Sequence, residues 1–251
     1  MKKKKDKVLI IGGSGFIGHN LAIKLKKEFH VSVIDSFNVN NVKSFKSKIS
    51  NNQNRFYIKI LNERIKLLKE NNVKIYIQDA RDYKKICILM DKINPNYIFH
   101  LAAVAHANVS NKNPFSTFDN SVRTLENALD ATRSLKKLKR FFYLSSSMLY
   151  GQFKKSSVNE DTICEPLGIY GALKFAGEKM VIGYNQVFKT PYTIIRPSAL
   201  YGERCVSRRV IQIFIESALK NEPVLINGDG KEKLDFTYIG DLINGMVKMI
   251  K

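Results

Sequence analysis

The chain has 251 residues, 44% of them hydrophobic, enough for one substantial core and a small second lobe. Its 42 Lys and Arg against 22 Asp and Glu give a formal net charge of +20, but the basic residues are spread along the whole chain and no nucleic-acid motif accompanies them, so no nucleic-acid partner is expected. No apolar run approaches the ~18 residues of a membrane span, the three cysteines (Cys87, Cys164, Cys205) are odd in number and far apart, and the four histidines (His19, His30, His100, His106) lack ligand spacing. Together these features argue against a membrane span, a disulfide scaffold and a metal site, and point to a protein of the cytoplasm.

The opening MKKKKDK reads as a basic tail, because the apolar VLII that follows is cut short by Gly12, Gly13 and Gly15. From there short apolar runs alternate with longer amphipathic ones. Strands are predicted at residues 8–11, 31–35, 74–78, 97–102, 141–145, 193–196 and 224–226, and helices at 16–29, 56–71, 83–93, 114–135, 169–188 and 207–220. The polar stretch 38–54, rich in Asn, Ser and Lys, reads as a long surface loop. Alternating strands and helices joined by right-handed crossovers specify an α/β fold with a doubly wound parallel sheet.

In VLIIGGSGFIGHNL, Gly12, Gly15 and Gly18 fall at G-x-x-G-x-x-G spacing, directly after a strand and at the start of a helix. Glycine permits the sharp turn and the close approach of backbone to a pyrophosphate, while free amides at the helix N-terminus supply positive partial charge. The next strand ends in Asp35, where a carboxylate accepts from adenosine ribose hydroxyls and repels a 2′-phosphate. The cofactor expected is therefore NAD rather than NADP.

These residues resemble the T-G-x-x-G-x-x-G of the extended short-chain dehydrogenase/reductase family, the NAD-dependent epimerases and dehydratases related to UDP-glucose 4-epimerase, with Ile11 in the usual place of Thr. The resemblance continues through QDARD (family G-D-x-R-D), HLAAVAHA (H-x-A-A), SSSMLYG (S-S-x-x-V-Y-G) and IIRPSALYGER (R-P-x-x-x-Y-G-P). It implies a Rossmann domain over residues 1–190 and a partial substrate lobe over 191–251, interleaved with the last sheet strands. It also implies cofactor contacts at Phe16, Ile17, Asp79, Ala80, Leu101, Ala102, Ala103, Asn120 and Pro197, beside the glycines and Asp35. Family members continue through further helices and strands, so the resemblance leaves two expectations for the substrate lobe: a shortened product, or completion by a partner. A homodimer through the long helices after the fourth and fifth strands is a further implication.

Tyr170 and Lys174 in IYGALK stand four apart on one helix face, so an ammonium beside the phenol would favour the phenolate that a general base needs near neutral pH. A second pair of the same spacing, Tyr150 and Lys154, competes with it. By resemblance, Ser146 at the carboxyl edge of the fifth strand is the catalytic hydroxyl, Tyr150 a turn residue after it, and Tyr170 and Lys174 the base and its partner, both also touching NAD. His100 and His106 are expected to carry no chemistry. The family's 4,6-dehydratases have an Asp-Glu pair where this chain has Ser147 and Met148, and decarboxylating relatives rely on a similarly placed Glu, so simple hydride chemistry remains. The resemblance thus implies a nucleotide-sugar 4-epimerase first, and a sugar reductase or dehydrogenase, or an inactive NAD-binding homologue, second. One departure falls at Leu234-Asp235-Phe236, where the family's R-D-F binds the diphosphate; Lys231, Lys233, Arg204, Arg208 and Arg209 are the candidate replacements. Ser147, Arg204 and Arg209 are the expected substrate contacts.

Overall fold

The computed structural model describes residues 5–46, 52–152, 157–226, 228–231 and 233–250. Lys154, the basic residues 1–4 and part of the expected 38–54 loop lie outside them.

Six strands, β1 (Lys7–Ile11), β2 (His30–Asp35), β3 (Lys74–Ile77), β4 (Tyr97–His100), β5 (Arg140–Leu144) and β6 (Tyr192–Ile195), form one parallel sheet in the order β3-β2-β1-β4-β5-β6. Strand β1 is buried on both faces: Val8 and Ile10 pack into one apolar cluster and Leu9 and Ile11 into the other. This is why it reads as an unbroken apolar run instead of an alternating one. The crossovers are α1 (Phe16–Leu25), α2 (Val42–Lys46), α3 (Asn52–Glu70), α4 (Tyr83–Ile93), α5 (Ala107–Lys112), α6 (Pro114–Phe118), α7 (Thr124–Ala131) and α8 (Gly168–Phe188). Asp82 caps α4 by accepting from the Lys85 amide, and Asn94 ends it in a left-handed turn, which is why the predicted limits of this helix match the observed ones.

Three expectations are corrected. The helix predicted over 114–135 is broken into α6, a π-turn at Asp119–Arg123 and α7, followed by a 3₁₀ turn. Helix α2 and the start of α3 occupy much of the stretch read as loop, because Val42, Tyr57 and Leu61 bury an apolar face under an otherwise polar sequence. The strand expected at 224–226 is absent, with Leu225 and Ile226 exposed. Beyond β6 the chain forms a separate two-stranded parallel sheet from β7 (Ala199–Tyr201) and β8 (Phe236–Tyr238), with α9 (Val210–Lys220) between them and α10 (Ile239–Lys248) after them. Ile239, Ile243 and Met246 of α10 join the same apolar cluster as Leu21, Ala22 and Leu25 of α1.

One buried ion pair ties the residue after β6 to α8. Arg196 donates from Nε and Nη2 to the two carboxylate oxygens of Glu178, at 3.0 and 2.8 Å, and from Nη1 to the Tyr150 hydroxyl. Glu178 is 2% exposed, so Glu178→Ala would leave a half-buried guanidinium without its partner. Denaturant titration is expected to show a loss of about 3 kcal/mol, at the lower end for a broken buried pair because Arg196 keeps some contact with water.

Candidate active site

Strand β1 has β2 on one side and β4 on the other, so the loops leaving its carboxyl end diverge and open a crevice. Gly12 turns there with φ +82°; a Cβ would lie 2.7 Å from the backbone nitrogen of Ala102, so no side chain fits between the β1 and β4 loops. At Gly18 a Cβ would meet the Gly12 carbonyl at 2.6 Å, which fixes how closely α1 seats on the loop. Helix α1 begins at Gly15 with no side-chain cap and no acid in its first turn, leaving its first amides to face the crevice.

The resulting cleft is open to solvent and runs along the carboxyl edge of the sheet, from the end of β2 past β1 and β4 to β5. Its walls include Gly12, Gly15, Phe16, Ile17, Gly18, Asp35, Asp79, Ala80, Leu101, Ala102, Ala103, Asn120, Tyr170, Lys174 and Pro197, together with Ser146 and Arg209. Thus the structure gathers in one place all fifteen residues expected around NAD. Ser147 and Arg204 are not on its walls.

At the adenosine end, Asp35 Oδ2 accepts from the Ser14 amide at 3.0 Å and Oδ1 from the Phe37 amide at 2.8 Å. Burial raises its carboxyl pKa against the pull of these bonds. Asp79 is clasped by Arg81, which holds its pKa down through hydrogen bonding. Asn120 lies in the π-turn, its amide donating to the Ser116 carbonyl at 2.8 Å. An uncapped helix end, a glycine cradle that a Cβ would fill, and a carboxylate at the end of β2 suit a dinucleotide diphosphate and ribose.

At the other end, β5 delivers Ser145 and Ser146 to the carboxyl edge of the sheet, and the first turn of α8 brings Tyr170 against them. Ser146 lies beside the Tyr170 phenol and favours its ionised form, and its hydroxyl accepts from the Met148 amide at 3.2 Å. Lys174, one turn on, is fully buried and donates to the Leu144 carbonyl at 2.6 Å. The two residues share the inward face as their spacing predicts, but the electrostatics differ from expectation. Burial raises the Tyr170 pKa, and the groups that lower it are Ser146 and Arg209 instead of Lys174. The lysine is itself pushed down to about 8 by burial, with Glu178 opposing. Tyr150, the competing tyrosine, is buried in the turn after Ser146, outside the cleft walls, with its hydroxyl on Arg196.

The basic candidates separate by where they point. Arg209 donates to the Ala105 carbonyl at 2.7 Å and faces the cleft beside Tyr170. Arg204 turns away from the substrate side, because acceptors lie in the opposite direction: its Nε donates to His19 Nε2 at 3.1 Å and Nη1 is 3.5 Å from Glu63. Arg208 pairs with Glu216 and Lys231 with Asp229. Leu234 is exposed.

Three residues were missed. His19 is buried in α1, its Nδ1 2.9 Å from the Gly15 carbonyl and its pKa lowered to about 3 by burial and by Arg64; accepting from Arg204 at Nε2, it is neutral with the proton on Nδ1. Ser145 has a buried Oγ with no partner, on the cleft wall. Arg64 of α3 also lines the cleft. Its signal was present: Tyr57, Leu61, Arg64 and Leu68 share the buried stripe of one helix, and an arginine there breaks the apolar pattern.

Fold and cleft together define a doubly wound α/β protein in which Ser146, Tyr170 and Lys174 meet at the β5 end of the cleft. A family model for the NAD dependent epimerase/dehydratase family matches residues 8–251, and the chain belongs to that family. An uncharacterised UDP-glucose epimerase of Bacillus subtilis is 31% identical over 97% of this chain and 72% of its own length. A dTDP-D-glucose 4,6-dehydratase of Dictyostelium discoideum is 30% identical over 97% of this chain and 56% of its own. The crystal structure of Bacillus cereus UDP-glucuronic acid 4-epimerase, in complex with UDP-glucuronic acid and NAD, superimposes with a TM-score of 0.84 at 29% identity, covering 98% of this chain and 73% of that one. The chain therefore spans between half and three quarters of the length of these relatives.

Two titrations follow. Difference absorbance between the parent and Tyr170→Phe isolates one phenol; its ionisation is expected above the ordinary tyrosine range and higher still in Arg209→Met or Ser146→Ala, since each removes a group that favours the phenolate. For Lys174 the unfolded chain holds a proton between pH 8 and 10.5 that the native state has lost, so the native state gains stability as pH rises through that window. Lys174→Met is expected to be more stable than the parent at pH 7, by up to about 3 kcal/mol, with the gap closing toward pH 10 in denaturant titrations.

Proposed function

We propose that this protein is an NAD-dependent nucleotide-sugar 4-epimerase, with a UDP-sugar as substrate. The observation that carries this reading is the meeting of Ser146, Tyr170 and Lys174 at one end of the cleft whose other end holds Asp35, with the glycine loop between. Ser147 and Met148 favour epimerisation over dehydration, since a hydroxyl and a thioether offer no second acid and base for water elimination. The likeness to the Bacillus cereus UDP-glucuronic acid 4-epimerase, and to a UDP-glucose 4-epimerase of Thermotoga maritima, supports the same choice.

When bound, NAD would supply reversible hydride acceptance from the sugar carbon that carries the hydroxyl. Tyr170 takes the proton of the C4 hydroxyl and gives it back when the hydride returns, while Ser146, which favours the phenolate beforehand, donates its single proton to the sugar oxygen as it becomes a ketone. Lys174, on the same helix face, would hold the nicotinamide-side ribose. Arg209, beside Tyr170, favours the phenolate and meets the substrate's diphosphate. Residues 1–190 serve as the cofactor domain and 191–251 as part of a substrate lobe.

The same reading includes a homodimer across α7 and α8, with Val187 and Phe188 exposed at the end of α8. A cytoplasmic setting is supported by three unpaired cysteines; among the described residues no helix is long and apolar enough to cross a membrane.

A panel of UDP- and GDP-sugars, followed by NMR without added NADH, tests the reading. Stereochemical exchange at C4 is expected, with Tyr170→Phe at least about 100-fold slower. Product formation only with stoichiometric consumption of NADH would establish a reductase instead.

A further inference from the structure

Arg64 is one of the largest fully buried side chains, 1% exposed, on the inward stripe of α3. Among the described residues its hydrogen bonds reach one neutral acceptor, the Arg204 carbonyl, through Nε at 3.0 Å and through Nη2. Asp35 and the Cys205 thiol act on it only at a distance, and the nearby Arg204 repels it. Burial lowers its pKa to about 10, which still leaves it charged at neutral pH. A buried cation with no ion-pair partner is costly, and such groups are retained where an anion completes them. The guanidinium lies 5.9 Å from the Phe16 ring, beside the uncapped start of α1, and lines the same cleft as Gly15 and Ile17.

We infer that Arg64 binds the diphosphate of the dinucleotide, acting with the α1 amides as the second half of one anion site. This rests on the cleft being the NAD site. A neutral ribose would leave the charge uncompensated. A 2′-phosphate is disfavoured, since it would have to approach the buried Asp35 carboxylate. Through its bond to the Arg204 carbonyl, Arg64 also holds a residue at φ +63° in the segment that follows β7, so anion binding and the placement of that segment share one side chain.

The test measures NAD⁺, ADP-ribose, NADP⁺ and adenosine binding to the purified, cofactor-stripped protein, by calorimetry and, for adenosine, ligand-observed NMR. Arg64→Met is expected to weaken NAD⁺ and ADP-ribose by about 10- to 100-fold while adenosine changes less than about twofold. Arg64→Lys keeps the charge and is expected to lose less; it decides the matter if Arg64→Met does not fold. An equal loss for adenosine and ADP-ribose would mean that Arg64 only shapes the fold, and a loss confined to NADP⁺ would place it at a 2′-phosphate; either overturns the inference. Unchanged NAD⁺ affinity in both variants overturns it alone. A parent protein that binds no dinucleotide overturns the cleft's assignment and this inference together.

Discussion

The closeness of two backbones governs the site. Gly12 passes the Ala102 nitrogen with no room for a Cβ, where the chain leaves β1 and where β4 also ends. Everything that faces the cleft is placed by that contact. It sets the start of α1, and so the direction of its bare amides; it brings the β2 end, with Asp35, across from them; and it puts Ala102 and Ala103 beneath the path that leads to β5 and its serines. Because β1 is buried on both faces, the strand cannot slide to relieve a side chain at Gly12 without exposing one apolar cluster or clashing with the other.

How much of this was legible depends on what each residue's surroundings add to its own preference. The central strands declared themselves, since a strand covered on both faces must be apolar throughout, and α4 did so through its caps. The cleft walls were legible because glycines and a strand-terminal Asp have few other reasons to occur at that spacing. The β7 and β8 pair was not: three residues each, half exposed, they carry no periodicity long enough to read, and they pair across more than thirty residues of chain. Residues 224–226 show the opposite failure, an apolar triplet that looked like a strand and has no partner to hold it. Arg64 and His19 escaped notice for one reason: a polar residue on a buried helix face means little until the groups around it are known.

The division of labour between Tyr170 and Lys174 shows what spacing leaves open. Four residues on a helix place both side chains inward, as they do here, but inward also means desolvated. Desolvation raises the phenol and lowers the ammonium, moving both toward neutrality, so the pair on its own is poorly suited to hold a phenolate. The charge that offsets this comes from Arg209, a residue from a different part of the chain, and the hydrogen bond from Ser146. In the proposed reaction, the positive charge of an oxidised nicotinamide would add to theirs.

The same economy of charge links the two halves of the chain. Arg204 reaches back from the segment after β7 to His19, whose other nitrogen holds the Gly15 carbonyl at the start of α1. Arg64 in turn holds the Arg204 carbonyl. The imidazole must stay neutral for this relay to work, because a protonated ring would face two guanidinium groups in a buried space; burial and those cations ensure it. A displacement of the glycine loop is therefore felt by Arg204, and the segment carrying Arg209 begins five residues later. The segment after β7 is thus fastened to the glycine loop through a buried, neutral histidine.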